Sequence, residues 1–93
     1  MDIRIIEQRE QIIKTASKYR VRNIRFFGSQ LRGDETVDSE LDLLVVFEKP
    51  DLLDQIALKQ DLEDVLGMPV DILTDDTIHP LLKERILEEA RPL

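Results

Sequence analysis

Three acidic residues stand where the surrounding sequence is otherwise apolar. Asp42 interrupts the run 41–47, Asp71 interrupts the run 70–73, and Glu40 lies two residues before Asp42. A carboxylate in an apolar strand is costly unless it is paired, hydrogen-bonded or bound to a cation. Residues two apart on an extended chain project from the same face, so a pairing strand could bring Asp71 beside the other two. The pattern therefore predicts a carboxylate cluster.

Such a cluster suits a hard divalent cation. Mg²⁺ takes oxygen ligands and combines a small number of carboxylates with substrate phosphates. The chain has no cysteine and a single histidine, His79, which excludes thiolate sites and histidine-rich zinc sites. We therefore expect any metal to be held by carboxylates, with ATP as its natural companion.

The segment Phe27-Gly28-Ser29 is a candidate phosphate-binding turn. It lies at a predicted junction between a strand and a helix, where glycine permits close backbone approach and the first N–H groups of the helix are free for an anion. Ser29 adds a hydroxyl donor and Arg32 adds a positive charge. The alternative is a glycine that only ends a strand, and the spacing to the downstream acids favours the phosphate-binding interpretation.

Arg32 has two interpretations that the sequence leaves open. Its guanidinium contacts phosphate, or it braces the loop that contains Asp34 and Glu35. In a related alternative, Asp42 and Asp71 form internal ion pairs with an arginine such as Arg25 or Arg32.

Four helices and three strands are predicted to position these residues, in the order αβαβαβα. Amphipathic spacing predicts the helices, and short β-branched or apolar runs predict the strands. Gly67 is placed as a helix C-cap and Pro80 as the start of the last helix. This order predicts a sandwich of the α/β or α+β class around a small sheet. The predicted helices cover residues 3–18, 29–33, 50–66 and 80–90, and the predicted strands cover 23–27, 41–47 and 70–73.

The composition is that of one folded domain. The 93 residues are 42% hydrophobic and 35% charged with a net charge of −7, which is too apolar for disorder. No apolar run approaches the ~20 residues of a membrane span, and the first residues lack a secretory pattern, so we expect a cytoplasmic protein. Residues 1–33 carry a net positive charge and residues 34–93 a net negative one. The positive part suits phosphates or RNA and the acidic part suits metal or a basic partner, although solvated helix faces explain most of these charges at least equally well.

Two segments resemble the signature of the DNA polymerase beta nucleotidyltransferase superfamily. They are Gly28-Ser29-Gln30-Leu31-Arg32-Gly33 and Ser39-Glu40-Leu41-Asp42-Leu43-Leu44-Val45. The similarity is greatest to its minimal branch, the MNT proteins, and extends from the first predicted helix through the last. The resemblance implies a single minimal nucleotidyltransferase domain over residues 1–93. It also implies an α+β fold with a small mixed sheet packed by helices.

The resemblance further implies a nucleotide site and a two-metal site. Gly28 and Ser29, assisted by Arg32, would bind the triphosphate of ATP. The acids that would hold two Mg²⁺ ions and carry out catalysis are Glu40, Asp42 and Asp71. The last of them would complete the triad by activating the acceptor hydroxyl. A two-metal site stabilises both the attacking and the leaving oxygen in such transfers.

A protein partner is also implied. The family members that resemble this chain are antitoxins that attach AMP units to a tyrosine of a HEPN ribonuclease toxin. The resemblance therefore implies a Mg²⁺-dependent protein adenylyltransferase in complex with a HEPN toxin, without direct binding to nucleic acid or membrane. A chain of 93 residues has little room for a complete acceptor site, so a partner protein would finish the pocket.

Glu40 departs from the family pattern, which has aspartate at this position. The extra methylene moves the carboxylate by roughly 1.5 Å, whereas Mg²⁺ requires nearly octahedral contacts at about 2.0 to 2.1 Å. We therefore expect weakened catalysis with nucleotide and partner binding kept.

The alternative is a non-catalytic binding module that neutralises a partner by complex formation alone. Adenylylation of a small molecule is a third interpretation, but relatives with that activity carry extra domains that hold the acceptor.

Overall fold

The computed structural model describes residues 1–49 and 51–93. Pro50, predicted to begin the third helix, lies outside the described residues. The described elements, in chain order, are α1 Ile3–Glu7, α2 Arg9–Ser17, β1 Val21–Phe27, α3 Ser29–Arg32, β2 Leu41–Phe47, α4 Leu52–Leu66, β3 Val70–Leu73, α5 Pro80–Glu89 and β4 Arg91–Pro92.

One mixed sheet organises these elements, with the strand order β3-β2-β1-β4. β1 pairs antiparallel with both β2 and β4, whereas β2 pairs parallel with β3. A parallel pair needs a crossover connection, which α4 provides. This arrangement confirms the predicted α+β class and the small mixed sheet. β4 was not predicted because a strand of two residues is too short to show any alternation.

β2 is buried on both of its faces, as its apolar run predicts. Its alternate residues Leu41, Leu43 and Val45 belong to a core cluster that includes side chains of α1, α2 and α4. Leu44 belongs to a second cluster, in which β1 and α5 take part. The sheet therefore lies between two helical layers, and an even-numbered residue of β2 faces the α5 side.

The prediction of one continuous helix over residues 3–18 is wrong, because Gln8 separates α1 from α2. The two parts are held by different contacts. Arg4 of α1 donates from Nη1 to the carbonyl oxygen of Gly67 at 2.8 Å, whereas α2 packs against α4 through buried residues such as Ile12. Gln8, which ends α1 and precedes α2, therefore separates two helices with different contacts.

The amphipathic spacing that predicts the last helix is only partly reflected in the burial of its apolar residues. Ile86 and Ala90 are buried against the sheet as expected, but Leu81 is 86% exposed and Leu82 is 49% exposed. Only the second half of α5 therefore reaches the core. Its start agrees with the prediction, because the helix begins at Pro80 and the His79 side chain accepts a hydrogen bond from the N–H of Leu81.

α4 is the longest of the described helices, with 15 residues. The Asp51 side chain caps its start by accepting the N–H of Leu53 at 2.8 Å. Gly67 ends it in the left-handed conformation, as the sequence predicts. Among residues 1–49 and 51–93, none of the helices has the length and apolar character that a membrane crossing requires.

Candidate active site

The parallel pairing of β2 and β3 brings the two strand aspartates together. Leu41 is opposite Val70 and Asp42 is opposite Asp71 in the register of this pair. Because Leu41 and Val70 are buried in the α4-side cluster, the aspartates point to the other face of the sheet. Both lie at the second position of their strands, so the site forms where β2 and β3 begin.

Glu40 joins this pair from the residue position that precedes β2. One carboxylate oxygen from each of Glu40, Asp42 and Asp71 lies within 4.8 Å of the others. Glu40 is exposed, whereas the two aspartates are half-buried. The structure thus assembles the three acids that the sequence predicts as a cluster. Three hard oxygen donors converging from a strand edge fit a divalent cation such as Mg²⁺.

Electrostatic repulsion within the cluster shows in Asp42. Burial raises the pKa of Asp42 to about 7, the carboxylates of Glu40 and Asp71 add to this rise, and the charge of Arg32 opposes it. A divalent cation would remove the repulsion and favour the ionised carboxylate, so the acids present fit such an ion.

Gly28 follows β1 and packs directly against Asp42. The antiparallel register places Phe27 opposite Asp42, which brings the next residue against the aspartate side chain. A Cβ atom on Gly28 would overlap Oδ2 of Asp42 and lie 3.2 Å from its Cγ. The backbone of Gly28, at φ 76° and ψ −154°, is in a region that essentially only glycine occupies. Both the conformation and the space require glycine.

Ser29 begins α3, a helix of four residues that follows Gly28 directly. The first intrahelical bonds are donated by Leu31 and Arg32 to the carbonyl oxygen of Gly28, each at 3.1 Å. The N–H groups of Ser29 and Gln30 precede these bonds and are left without an intrahelical acceptor. These N–H donors therefore come one and two residues after Gly28, the residue that packs against Asp42.

Arg32 makes its ion pairs with other acids. Its Nη1 donates to Glu89 of α5 at 2.8 Å, and its Nε donates to Asp34 at 3.3 Å. The structure therefore supports the bracing interpretation for this arginine. Among residues 1–49 and 51–93, neither Arg25 nor Arg32 forms a salt bridge with the strand aspartates, so the internally neutralised alternative does not hold.

Comparison with known proteins assigns the chain to a family. The model of the nucleotidyltransferase domain family matches residues 6–93. The chain belongs to this family. A candidate protein adenylyltransferase of Methanocaldococcus jannaschii, MJ0435, is 47% identical over 87 residues, covering 92% of this chain and 94% of the relative. The protein adenylyltransferase MntA of Thermococcus cleftensis is 35% identical over 91 residues, covering 91% and 92%.

Solved structures confirm the nucleotidyltransferase fold. A candidate minimal nucleotidyltransferase superposes with a TM-score of 0.85 at 41% identity, covering 100% of this chain and 97% of that one. The same fold occurs, at a TM-score of 0.67 and 20% identity, in a complex of a tri-AMPylated HEPN toxin with an MNT antitoxin from Shewanella oneidensis; the match covers 89% of this chain and 66% of that one.

Gln30 is a buried polar residue of α3 whose burial sequence reasoning missed. Its side chain is 2% exposed, and its Oε1 accepts the N–H of Asp2 at 2.8 Å. This bond ties the start of the chain to α3, beside Ser29. A glutamine between a serine and a leucine carries no local signal of burial, because the contact spans 28 residues.

The raised pKa of Asp42 predicts how Asp42→Asn changes the stability of the metal-free nucleotidyltransferase. The folded state binds the proton of the Asp42 carboxyl more tightly than the unfolded state does. The contribution of this proton to the free energy of unfolding is therefore complete below pH 3.8 and is lost as pH rises toward 7. Asparagine never ionises and avoids that loss. Because Asp42 is only half-buried, we expect a gain of about 1 to 2 kcal/mol at pH 8 rather than the roughly 4 kcal/mol of the full shift.

Thermal unfolding in the presence of a chelator at pH 4 and pH 8 measures this effect. A gain of 1 to 2 kcal/mol corresponds to roughly 4 to 16 °C in Tm for a domain of this size. The gain should nearly disappear at pH 4. Asp76→Asn, which changes an exposed acid, is the matched control and should give no such pH dependence. An equal gain at both pH values would contradict the prediction.

Proposed function

We propose that this nucleotidyltransferase transfers AMP from ATP to a tyrosine hydroxyl of a HEPN ribonuclease toxin, and that it thereby acts as the antitoxin of that toxin. The observation that carries the proposal is the convergence of Glu40, Asp42 and Asp71 within 4.8 Å, with Gly28 packed against Asp42. The adenylyltransferase names of relatives at 47% and 35% identity support the reaction class. The complex of the same fold with a tri-AMPylated HEPN toxin supports the class of partner.

The Gly28 turn would bind the triphosphate. Gly28 presents no side chain, which lets its backbone pack directly against Asp42. The N–H groups of Ser29 and Gln30 have no intrahelical acceptor and would be free for phosphate oxygens, and the Ser29 hydroxyl adds a donor. Arg32 is held by Asp34 and Glu89, so its role would be to brace α3 against the following loop and α5.

The acid triad would hold Mg²⁺. Glu40, Asp42 and Asp71 supply oxygen ligands from one end of two adjacent strands. A bound divalent cation would neutralise charge on the phosphates and on the leaving group. The β2–β3 register fixes the spacing of Asp42 and Asp71, whereas Glu40 lies one residue before β2.

The reaction itself is a nucleotidyl transfer. The tyrosine oxygen forms a bond to the α-phosphorus of ATP, the bond between that phosphorus and the bridging oxygen breaks, and pyrophosphate leaves. The proton of the tyrosine hydroxyl passes to the carboxylate of Asp71. Asp71 suits this role because it lies on β3, at the end of the sheet, where an acceptor from another protein can approach.

Glu40 gives the first test of this proposal. The cluster holds the Glu40 carboxylate within reach of the aspartates, but its longer side chain is exposed and less fixed than aspartate would be. We expect Glu40→Asp to raise the rate of AMP transfer about tenfold, because Mg²⁺ tolerates little deviation from octahedral geometry. Intact mass spectrometry of the HEPN protein after incubation with ATP and Mg²⁺ measures the transfer as steps of one AMP.

The outcomes separate two functions. Transfer by either form of the chain establishes an adenylyltransferase, and transfer only by Glu40→Asp identifies Glu40 as the attenuating residue. A stable complex without any mass gain from either form would favour a binding module that neutralises its partner without chemistry. The observation that favours this second function is Glu40 itself, at a position where the family pattern has aspartate.

A further inference from the structure

We propose that a groove between α4 and the outer edge of β3 receives the side chain of the acceptor tyrosine. The inference rests on the proposed function and identifies where the acceptor binds. We call this feature the acceptor groove. Its lining residues are Leu52, Gln55, Ile56, Lys59, Asp71 and Ile72.

The position of the groove follows from the strand residues that line it. Asp71 and Ile72 are neighbours in β3, so their side chains point to opposite faces of the sheet. A cavity lined by both therefore lies against the edge of the strand. β3 is the last strand in the order β3-β2-β1-β4, and no strand among residues 1–49 and 51–93 covers that edge.

The helical wall of the groove is a separate face of α4. The helix residues that line the groove have the spacing i, i+3, i+4 and i+7, which places them on one side of the helix. The core side of α4 is formed instead by Leu58, Leu62 and Leu66. Leu52 is 69% exposed and Ile56 is 46% exposed, so this wall presents apolar surface that the described fold does not bury.

The size and chemistry of the groove fit one aromatic side chain with a hydroxyl. Its volume is about 120 Å³, below the roughly 300 to 1,000 Å³ of sites for whole small ligands. Leu52, Ile56 and Ile72 offer apolar contacts for a ring, and Asp71 stands at the same groove for the polar tip. Because Asp71 also belongs to the acid triad, a ring in the groove lies next to the residue proposed to take its proton.

Leu52 and Leu53 provide a matched pair of test variants. Both are exposed leucines in the first turn of α4, at 69% and 74%, but only Leu52 lines the groove. We expect Leu52→Glu to raise the KM for the HEPN protein roughly tenfold or more, because a charge replaces an apolar contact. Leu53→Glu should stay within about twofold of wild type. Affinity for ATP, measured without the partner, should be unchanged in both variants.

Two readouts distinguish failure of the groove from failure of the proposed function. Mass spectrometry of AMP transfer tests the reaction, and biolayer interferometry of the complex with the HEPN protein tests the contact whether or not transfer occurs. If wild type transfers no AMP, the proposed function fails, and the contrast in affinity between the two variants still decides whether the groove contacts the partner. Equal affinities of Leu52→Glu and Leu53→Glu for the partner would overturn the groove.

A double-mutant cycle tests the occupant once mass spectrometry has mapped the modified tyrosine. Replacing that tyrosine by alanine should weaken the complex with wild type about fivefold, and should have little further effect on the complex with Leu52→Glu. Additive losses would place the tyrosine ring elsewhere and would overturn the assignment of the groove to the acceptor.

Discussion

Asp42→Asn is expected to lower the rate of AMP transfer by about a hundredfold to a thousandfold while leaving the complex with the partner intact. The residue stands at the centre of the triad, opposite Asp71 and against Gly28. Asparagine keeps the shape of the side chain and removes its charge, so the effect reports electrostatics rather than packing. The measurement is the initial rate of mass gain on the HEPN protein with ATP and Mg²⁺ in excess.

The ribonuclease activity of the partner gives the second readout for Asp42→Asn. A catalytic antitoxin loses neutralisation together with AMP transfer, and it requires both ATP and Mg²⁺. A pure binding module would neutralise the toxin in the absence of nucleotide, and Asp42→Asn would then neutralise as well as wild type. Asp76→Asn again serves as the control, because it removes one acidic charge at an exposed position outside the triad.

The same substitution thus has opposite effects on stability and on activity. In the metal-free protein, burial and the neighbouring carboxylates raise the pKa of Asp42 to about 7, so its ionised form destabilises the fold. Asparagine removes the negative charge that destabilises the fold. It also removes one of the carboxylates proposed to bind the metal. A substitution that raises stability and strongly lowers transfer indicates that the charge cluster serves function. Replacing a residue that serves only the fold is not expected to raise stability and lower activity together.

The sequence was sufficient to predict the acid cluster, for a physical reason. A charged residue inside an apolar strand has few explanations, and the period of two along a strand sets which of its neighbours share a face. The register between β2 and β3 was the missing step, and the structure supplies it by placing Asp42 opposite Asp71. Gly28 was predicted as a turn residue, but its contact with Asp42 could be found only in three dimensions.

Other features left no local trace in the sequence. Gln30 is buried because the N–H of Asp2 reaches it across 28 residues, and β4 exists because its two residues pair with β1. The exposure of Leu81 and Leu82 depends on where the sheet ends beneath α5, which helical periodicity cannot indicate. The acceptor groove has the same origin, since it forms between a helix face and a strand edge that become neighbours only on folding.

Gly28→Ala is expected to reduce AMP transfer by about a hundredfold or more in a protein that still folds. The added Cβ overlaps Oδ2 of Asp42, and the alanine backbone must also leave the conformation at φ 76° and ψ −154° or bear its strain, about 1 to 3 kcal/mol. Either response moves the turn away from Asp42. Because both parts of the proposed site meet at this contact, the phosphate donors and the acid lose their relative position together.

Gly67→Ala separates backbone strain from the local overlap at Gly28. Gly67 also has a positive φ, 67°, but a Cβ there would have nothing within 4 Å. This control should lose about 1 kcal/mol of stability and keep nearly all of its transfer activity. Thermal unfolding with and without ATP and Mg²⁺ completes the comparison: the ligands should raise the Tm of wild type and of Gly67→Ala, and should raise that of Gly28→Ala little or not at all. A full ligand-induced shift in Gly28→Ala would show that the contact between Gly28 and Asp42 does not position the nucleotide, and the proposed phosphate site would then have to lie elsewhere on the chain.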